Sequence, residues 1–306
     1  MNLDESVSVL IPCSKESKYL SLSIDSVMKQ NFPSRWEIVL VYQDSEIFKQ
    51  IDLPINTILV KQNTSGLVNA LNEGLKFCNY NFIARLDADD LMTASRINSQ
   101  LHEFRKRNNL VALGGQGILI DENGNELGNI SYPSGSSVVS WSLNFNCVLP
   151  HPGATIRRDI FIRAGGYRNG FEHAEDYDLW VRLRKFGEID NLKIPVVYYR
   201  RHSTQLTAIN LNNTLKVTAS IMAVAGRDNG QGIFLYNQSR EIEEDYPKLV
   251  DDYYKFLNLQ RLGQRRELYK LTFSKKVLIQ LLFKKIILRL YAITKTISLG
   301  SNKKRF

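Results

Sequence analysis

Over the first 120 residues, short apolar β-branched runs alternate with helical periodicities, and that alternation restricts the fold class more than any other feature. Residues 7–12 (VSVLIP) read as a buried strand ended by proline. Leu20, Ile24, Val27 and Met28 then recur at i, i+4, i+7 and i+8, one face of a helix. Residues 36–42 (WEIVLVY) read as a second buried strand and residues 57–60 as a third. Thr64-Ser65-Gly66 precedes a helix whose Val68, Leu71, Leu75 and Cys78 share a face. Residues 82–86 form a fourth strand that runs into a cluster of acids. Strand–helix–strand repetition at this spacing predicts an α/β fold, with a parallel sheet and helices on both faces. Ligands of such sheets bind beyond the carboxyl ends of the strands. Polar residues stand at those ends: Ser14 after strand one, Gln43 and Asp44 after strand two, Asp87 to Asp90 after strand four. Residues 111–135 read as strands and turns punctuated by Gly114-Gly115, Asn123-Gly124 and Pro133. A second polar cluster lies between Trp141 and His202, and from about residue 208 the pattern is mostly helical.

Where the charge sits excludes one class of partner. The net charge of +9 is carried by the tail, since residues 261–306 hold thirteen Lys or Arg against the single acid Glu267. The body is therefore slightly acidic, which argues against a nucleic-acid groove and for a tail that seeks an anionic surface. From Phe273 to Tyr291, apolar Val277, Leu281, Ile286 and Leu290 mix with Lys275, Lys276, Lys284, Lys285 and Arg289. That mixture reads as an amphipathic helix lying on an anionic leaflet, or as a helix packed on the body with a charged outer face. Cys13, Cys78 and Cys147 show no CxxC pairing and read as free, mostly buried thiols in a reducing compartment. The opening residues MNLDESVSVLIPCSKES show no basic-then-apolar leader pattern, and no run of 18 charge-free apolar residues occurs. No GxGxxG follows the first strand, which disfavours a dinucleotide enzyme.

Two acidic constellations carry the chemistry. In Arg85-Leu86-Asp87-Ala88-Asp89-Asp90, carboxylates at i and i+2 leave a buried strand and meet one divalent ion if the chain turns. Hard oxygen ligands suit Mg²⁺ or Mn²⁺, which also bridge a diphosphate; a solvated acidic turn is the plainer alternative. In Glu175-Asp176-Tyr177-Asp178-Leu179-Trp180 the acids fall in the first turn of a helix, where the helix dipole favours them. The functional alternative is a general base for an acceptor hydroxyl.

Taken together, VSVLIPCSKESKYLSLSIDSVMKQNFP, EIVLVYQDS, GLVNALNEGLKFCNYNFIARLDADD, HPGATIRRDIFIRAGGY and AEDYDLWVRL resemble glycosyltransferase family 2 in motif, order and spacing, over roughly residues 5–205. The nearest likeness is to bacterial transferases that build lipopolysaccharide, O-antigen or capsule. The resemblance implies a GT-A fold, in which a Rossmann-like nucleotide-sugar half (1–110) joins an acceptor half (111–207), followed here by a helical extension with a basic amphipathic tail (208–306). It implies an inverting enzyme dependent on Mn²⁺ or Mg²⁺. By position, Asp89 matches the main metal ligand, with Asp87 as its partner. Asp176 matches the catalytic base, and Glu175 the acid that binds or orients the acceptor. Pro12 and Ser14 match the loop near nucleobase and ribose, and Gly66 and Arg85 fall among the donor contacts. His151 opens the segment that lines the site, although it equally fits a packed turn. His202 falls where some GT-A enzymes place a histidine near diphosphate or metal, or else on the surface.

One departure bears on the donor. Relatives usually carry an aspartate after strand two that reads the base, where this chain has Gln43 with Asp44 one position on. A Gln amide offers uracil both a donor and an acceptor. The expected partners are a nucleotide-sugar donor, most simply a UDP-sugar, and a glycan or lipid-linked saccharide acceptor. The expected location is cytoplasmic and peripheral on the inner face of the cell membrane. A catalytically silent sugar-nucleotide or membrane-binding module on the same fold is the rival. Lys61 reads as solvated charge and Trp180 as a core anchor.

Overall fold

A computed structural model of the chain describes residues 5–13, 18–33, 35–44, 51–202, 211–225, 238–245, 250–251 and 253–254. Its strands are β1 (Ser6–Cys13), β2 (Arg35–Tyr42), β3 (Thr57–Lys61), β4 (Phe82–Arg85), β5 (Leu91–Met92), β6 (Leu110–Ile120), β7 (Glu126–Ile130), β8 (Thr155–Arg157) and β9 (Glu188–Arg200). Its α-helices are α1 (Leu20–Met28), α2 (Leu67–Phe77), α3 (Arg96–Lys106), α4 (Ser136–Ser142), α5 (Arg158–Arg163), α6 (Glu175–Leu183), α7 (Leu211–Ala225) and α8 (Ser239–Asp245), with a 3₁₀ turn at His151–Gly153. The strands join one sheet in the order β3-β2-β1-β4-β8-β6-β9-β5, and β7 pairs with β6.

The first half of this sheet is parallel throughout, with Cys13 opposite Tyr42 and Tyr42 opposite Lys61 at the carboxyl ends. The second half is mixed. β8 runs antiparallel to both β4 and β6, while β6 and β9 are parallel. Every residue of β1 is buried because helices cover both of its faces. Val7, Val9 and Ile11 pack with Leu20, Ile24 and Val27 of α1 and with Ile97, Leu101 and Phe104 of α3. On the opposite face, Leu10, Val39 and Val41 pack with Val68, Leu71 and Leu75 of α2. Each such buried side chain contributes about 1.5–3 kcal/mol. Met28, expected on the inner face of α1, is 48% exposed: at 100° per residue it stands at the edge of the stripe, while Val27 beside it is fully buried. Gly74 lets α2 lie close on the sheet, since a Cβ there would run into the Leu10 and Val41 side chains.

Buried polar groups fix the entry and exit of β4. Ser8 Oγ donates to Glu37 Oε1 at 2.6 Å, and Asn79 donates to the same carboxylate from its backbone N–H (2.7 Å) and from Nδ2 (3.1 Å). The link between α2 and β4 is thus pinned to the strands beside it. At the other end, Arg96 of α3 donates to Pro152 O (2.7 Å), Arg85 O (2.8 Å) and Ala154 O (3.0 Å). Burial pushes this guanidinium down to about 9, yet carbonyl dipoles satisfy it without a carboxylate partner.

α7 lies against the second half of the sheet region. Its Ala219, Ile221 and Met222 share a core with Trp180 and Leu183 of α6, and Arg184 donates to Ala225 O. The described residues past 208 are largely helical, as the sequence pattern there expects. Among the described residues no helix is long and apolar enough to cross a membrane. The basic tail, 261–306, lies outside the described residues.

Candidate active site

The buried strand β4 delivers an arginine and three acids to the carboxyl edge of the parallel half. Leu86 N–H still donates to Leu10 O at 3.1 Å, and Asp90 N–H then closes a turn onto Asp87 O at 3.3 Å. The turn gathers carboxylate oxygens of Asp87, Asp89 and Asp90 within 4.8 Å of one another. Arg85, almost fully buried, is ion-paired with Asp87. His202 Nε2 meets Asp89 Oδ2 at 2.7 Å. Asp90 Oδ1 accepts the Arg200 N–H at 2.7 Å, whereas its Oδ2 is buried with no hydrogen-bond partner.

Uncompensated charge is the electrostatic signature of this turn. Burial first, then the charges of Asp87 and Asp89, push Asp90 well above the usual carboxylate range. Asp87 is raised by burial, against the pull of Arg85. An orphaned carboxylate oxygen inside a converging set of hard oxygen donors fits a divalent cation, which would supply its missing partner.

The facing wall is the first turn of α6 together with the 3₁₀ turn. Chain entry into α6 passes through His173, whose φ of 73° is left-handed and unusual for a residue with a Cβ. Tyr177 N–H donates to Asp176 Oδ1 at 2.8 Å, and Cys147 Sγ donates to Oδ2 at 3.3 Å. Burial raises Asp176 above its ordinary value, while those two bonds and the charge of Arg85 oppose the shift. Glu175 is buried beside it and is pushed up to about 7, by burial first and then by Asp176. His151 Nε2 lies 2.7 Å from Tyr167 Oη, with Nδ1 3.9 Å from Glu175 Oε1. Burial, aided by Arg85, holds His151 well below its ordinary range, so the ring is neutral. The charge of Asp176 also contributes to the raised Asp87, so the two acidic walls form one electrostatic unit around Arg85.

At the rim, buried Pro12 in β1 pairs with Val41 of β2, and Gln43 and the exposed Asp44 follow β2 directly. Gly66 caps α2 beyond β3 with φ 108°, and Gln62 Nε2 donates to its carbonyl at 2.8 Å. Ser14 lies outside the described residues. The structure therefore gathers Arg85, Asp87, Asp89, His202, His151, Glu175 and Asp176 at the acidic site, and sets Pro12, Gln43, Asp44 and Gly66 along the carboxyl edge. Asp178 is not part of it. This acid is fully buried and ion-paired with Arg168 and, at 2.7 Å, with Arg182. Lys61 is exposed, and Trp180 is a fully buried core residue. Sequence reasoning missed Asp90's orphaned oxygen, the Cys147 thiol, Tyr167, and Arg200 with the Tyr19 ring 4.3 Å from its guanidinium. Cys147, Tyr167 and Arg200 meet the site through contacts distant in sequence.

A parallel β3-β2-β1-β4 half with acids at its carboxyl edge, continued by a mixed half bearing a second acidic wall, is the GT-A glycosyltransferase architecture. The fold of S. aureus TarS 1-349 in complex with UDP superimposes with a TM-score of 0.51 at 15% identity, over 89% of this chain and 76% of that one. The glycosyl transferase family 2 model matches residues 8–165, and the chain belongs to that family. The O-antigen biosynthesis glycosyltransferase WbnJ of Escherichia coli is 31% identical over 215 residues, 66% of this chain and 83% of that protein. The UDP-Glc:alpha-D-GlcNAc-diphosphoundecaprenol beta-1,3-glucosyltransferase WfgD of Escherichia coli is 28% identical over 193 residues, 61% of this chain and 72% of that protein.

Proposed function

We propose that this family 2 enzyme is an inverting, Mn²⁺- or Mg²⁺-dependent transferase. In this reading it moves a sugar from a UDP-sugar to a glycan or lipid-linked saccharide in the assembly of a bacterial surface polysaccharide. The observation that carries the reading is the buried, unpartnered Asp90 Oδ2 within the acid triad, facing a second wall where Asp176 is held at both oxygens. Asp89 and Asp87 would hold the cation, with Asp90 completing the set and His202 bracing Asp89. When bound, the ion neutralises charge on the departing nucleoside diphosphate. Pro12, Ser14, Gln43 or Asp44, and Gly66 line the donor's nucleoside side, and Arg85 adds a fixed positive charge beneath the diphosphate. Asp176 takes the proton of the acceptor hydroxyl as its oxygen attacks the anomeric carbon on the face opposite the leaving group. Glu175 holds acceptor hydroxyls, and neutral His151 lines the same wall. Residues 1–110 form the donor half, 111–207 the acceptor half, and the basic tail of the 208–306 extension holds the enzyme on the inner membrane face. The UDP-Glc and GlcNAc-diphosphoundecaprenol named for WfgD support the choice of donor and acceptor, and the O-antigen biosynthesis named for WbnJ supports the polysaccharide.

Asp176→Asn keeps the shape and removes the basicity. It should lower kcat by about 10²–10⁴-fold, the contribution of one general base, with donor affinity within a few-fold of wild type. Sugar transfer from UDP-sugars, assayed with Mn²⁺ and with EDTA, is the measurement. A normal kcat in the variant removes Asp176 from the chemistry, and full turnover of metal-stripped enzyme in EDTA removes the cation.

A further inference from the structure

Asp176 receives its two hydrogen bonds from different parts of the fold. Tyr177 N–H belongs to the same helical turn, so any acid at this position would have it. Cys147 is supplied by the segment after α4, 29 residues earlier in the chain, and donates from Sγ at 3.3 Å. A sulfur contact 3.8 Å from Leu149 O is long by comparison, so the carboxylate is the principal partner. The thiol is half-buried, and burial followed by the charge of Asp176 pushes it well above its ordinary range. A thiol that keeps its proton remains a donor wherever the carboxylate is ionised. The bond opposes the burial that raises Asp176, alongside Tyr177 N–H and the Arg85 charge. Glu175, Asp87, Tyr132 and Tyr167 are the other titratable groups that interact with this carboxylate. The sequence pattern would leave Cys147 a small apolar filler. Its aim at one oxygen of the acid on the facing helix assigns it more.

We propose that Cys147 is a positioning residue for sugar transfer, its S–H holding Oδ2 of Asp176 in one orientation so that the carboxylate meets the acceptor hydroxyl already aligned. The proposal rests on Asp176 being the base.

Cys147→Val keeps the volume and removes the donor, Cys147→Ala removes both, and Cys147→Ser keeps a donor. Each is made in the full chain, alone and with Asp176→Asn, and the melting temperature, kcat, both KM values and kcat between pH 5 and 9 are measured. Val and Ala should lower kcat about 3- to 10-fold, the size of one hydrogen bond, with donor KM unchanged. The acid limb of kcat should move to higher pH, because a carboxylate stripped of a donor holds its proton more tightly. Ser should restore both rate and limb. With Asp176→Asn, Cys147→Val should cost nothing further, as two residues acting through one group are not additive. A wild-type kcat and limb in Cys147→Val, beside a crippled Asp176→Asn, overturns the positioning role and leaves the base intact. Equal losses in Ser and Val with a falling melting temperature, or an undiminished loss in the Asp176→Asn background, overturns it in favour of packing. A normal kcat in Asp176→Asn removes the base and the ground of this proposal with it.

Discussion

Glu175→Gln should make the folded protein more stable at pH 8 and worse at binding its acceptor. Glu175 is 6% exposed, next to Asp176, and its carboxyl is raised from an ordinary 4.5 to about 7. Above pH 7 the folded state carries an ionised carboxylate that the unfolded chain would ionise far more readily. A raised carboxyl stabilises the fold below its unfolded value, and that contribution is lost as pH rises through the folded one. At about 1.36 kcal/mol per pH unit, the penalty at pH 8 is about 3 kcal/mol. Glutamine removes the charge but turns one acceptor into a donor, which returns about 1 kcal/mol. The net gain of about 2 kcal/mol corresponds to a melting temperature about 3 °C higher at pH 8. Near pH 5 the folded wild type is already protonated and the difference should nearly vanish. Melting curves of both proteins at pH 5, 6, 7 and 8, in EDTA, give the measurement. A difference that stays flat across this range, or a Gln variant that melts earlier at pH 8, refutes the reasoning. Raised acceptor KM in the same variant would show the stability being spent on binding.

Mn²⁺ at a hundred times its Kd should stabilise the wild type by about 2.7 kcal/mol, read as a thermal shift that Asp89→Asn abolishes; an equal shift in the variant locates the ion elsewhere. Asp178→Ala leaves the fully buried Arg182 without its carboxylate and should cost about 3–5 kcal/mol, so a melting temperature within error of wild type would refute its structural role. Truncation near Phe273 should abolish binding to anionic liposomes, and salt should weaken binding of the intact chain; equal binding of both forms in a flotation assay makes the tail structural.

The parallel half was legible because its signals are local. VSVLIP and WEIVLVY are long enough to show a buried run, and the stripe of α2 repeats twice before the helix ends. The acids after β4 are adjacent in sequence, so their convergence needs only a turn. The mixed half was less legible. β5 and β8 span two and three residues, too few to show a period. β9 shows no unbroken strand pattern, because Pro195 interrupts its run; in the sheet Pro195 sits at a register irregularity opposite Gln116, where a lost N–H is tolerated. Contacts that finish the site, such as Cys147 to Asp176 and Arg200 to Asp89, join residues separated by 29 and 111 positions. No local pattern encodes such a meeting, which follows from sheet order.

Arg200 gives this edge a single point of failure. Its backbone N–H serves Asp90, its Nε serves Asp89 O at 2.9 Å, and its Nη1 reaches Asp121 O and Glu122 O at 3.0 and 3.2 Å, beneath the Tyr19 ring. Three separate stretches of chain, at Asp89, at Asp121-Glu122 and at Tyr19, therefore take their relative positions from one rigid fork. Lysine presents its protons from one atom on a flexible stem, and could not span these acceptors and stack at once. The neighbouring segments are free to drift in sequence so long as they present carbonyls at the right places, whereas the guanidinium is the keystone that none of them replaces.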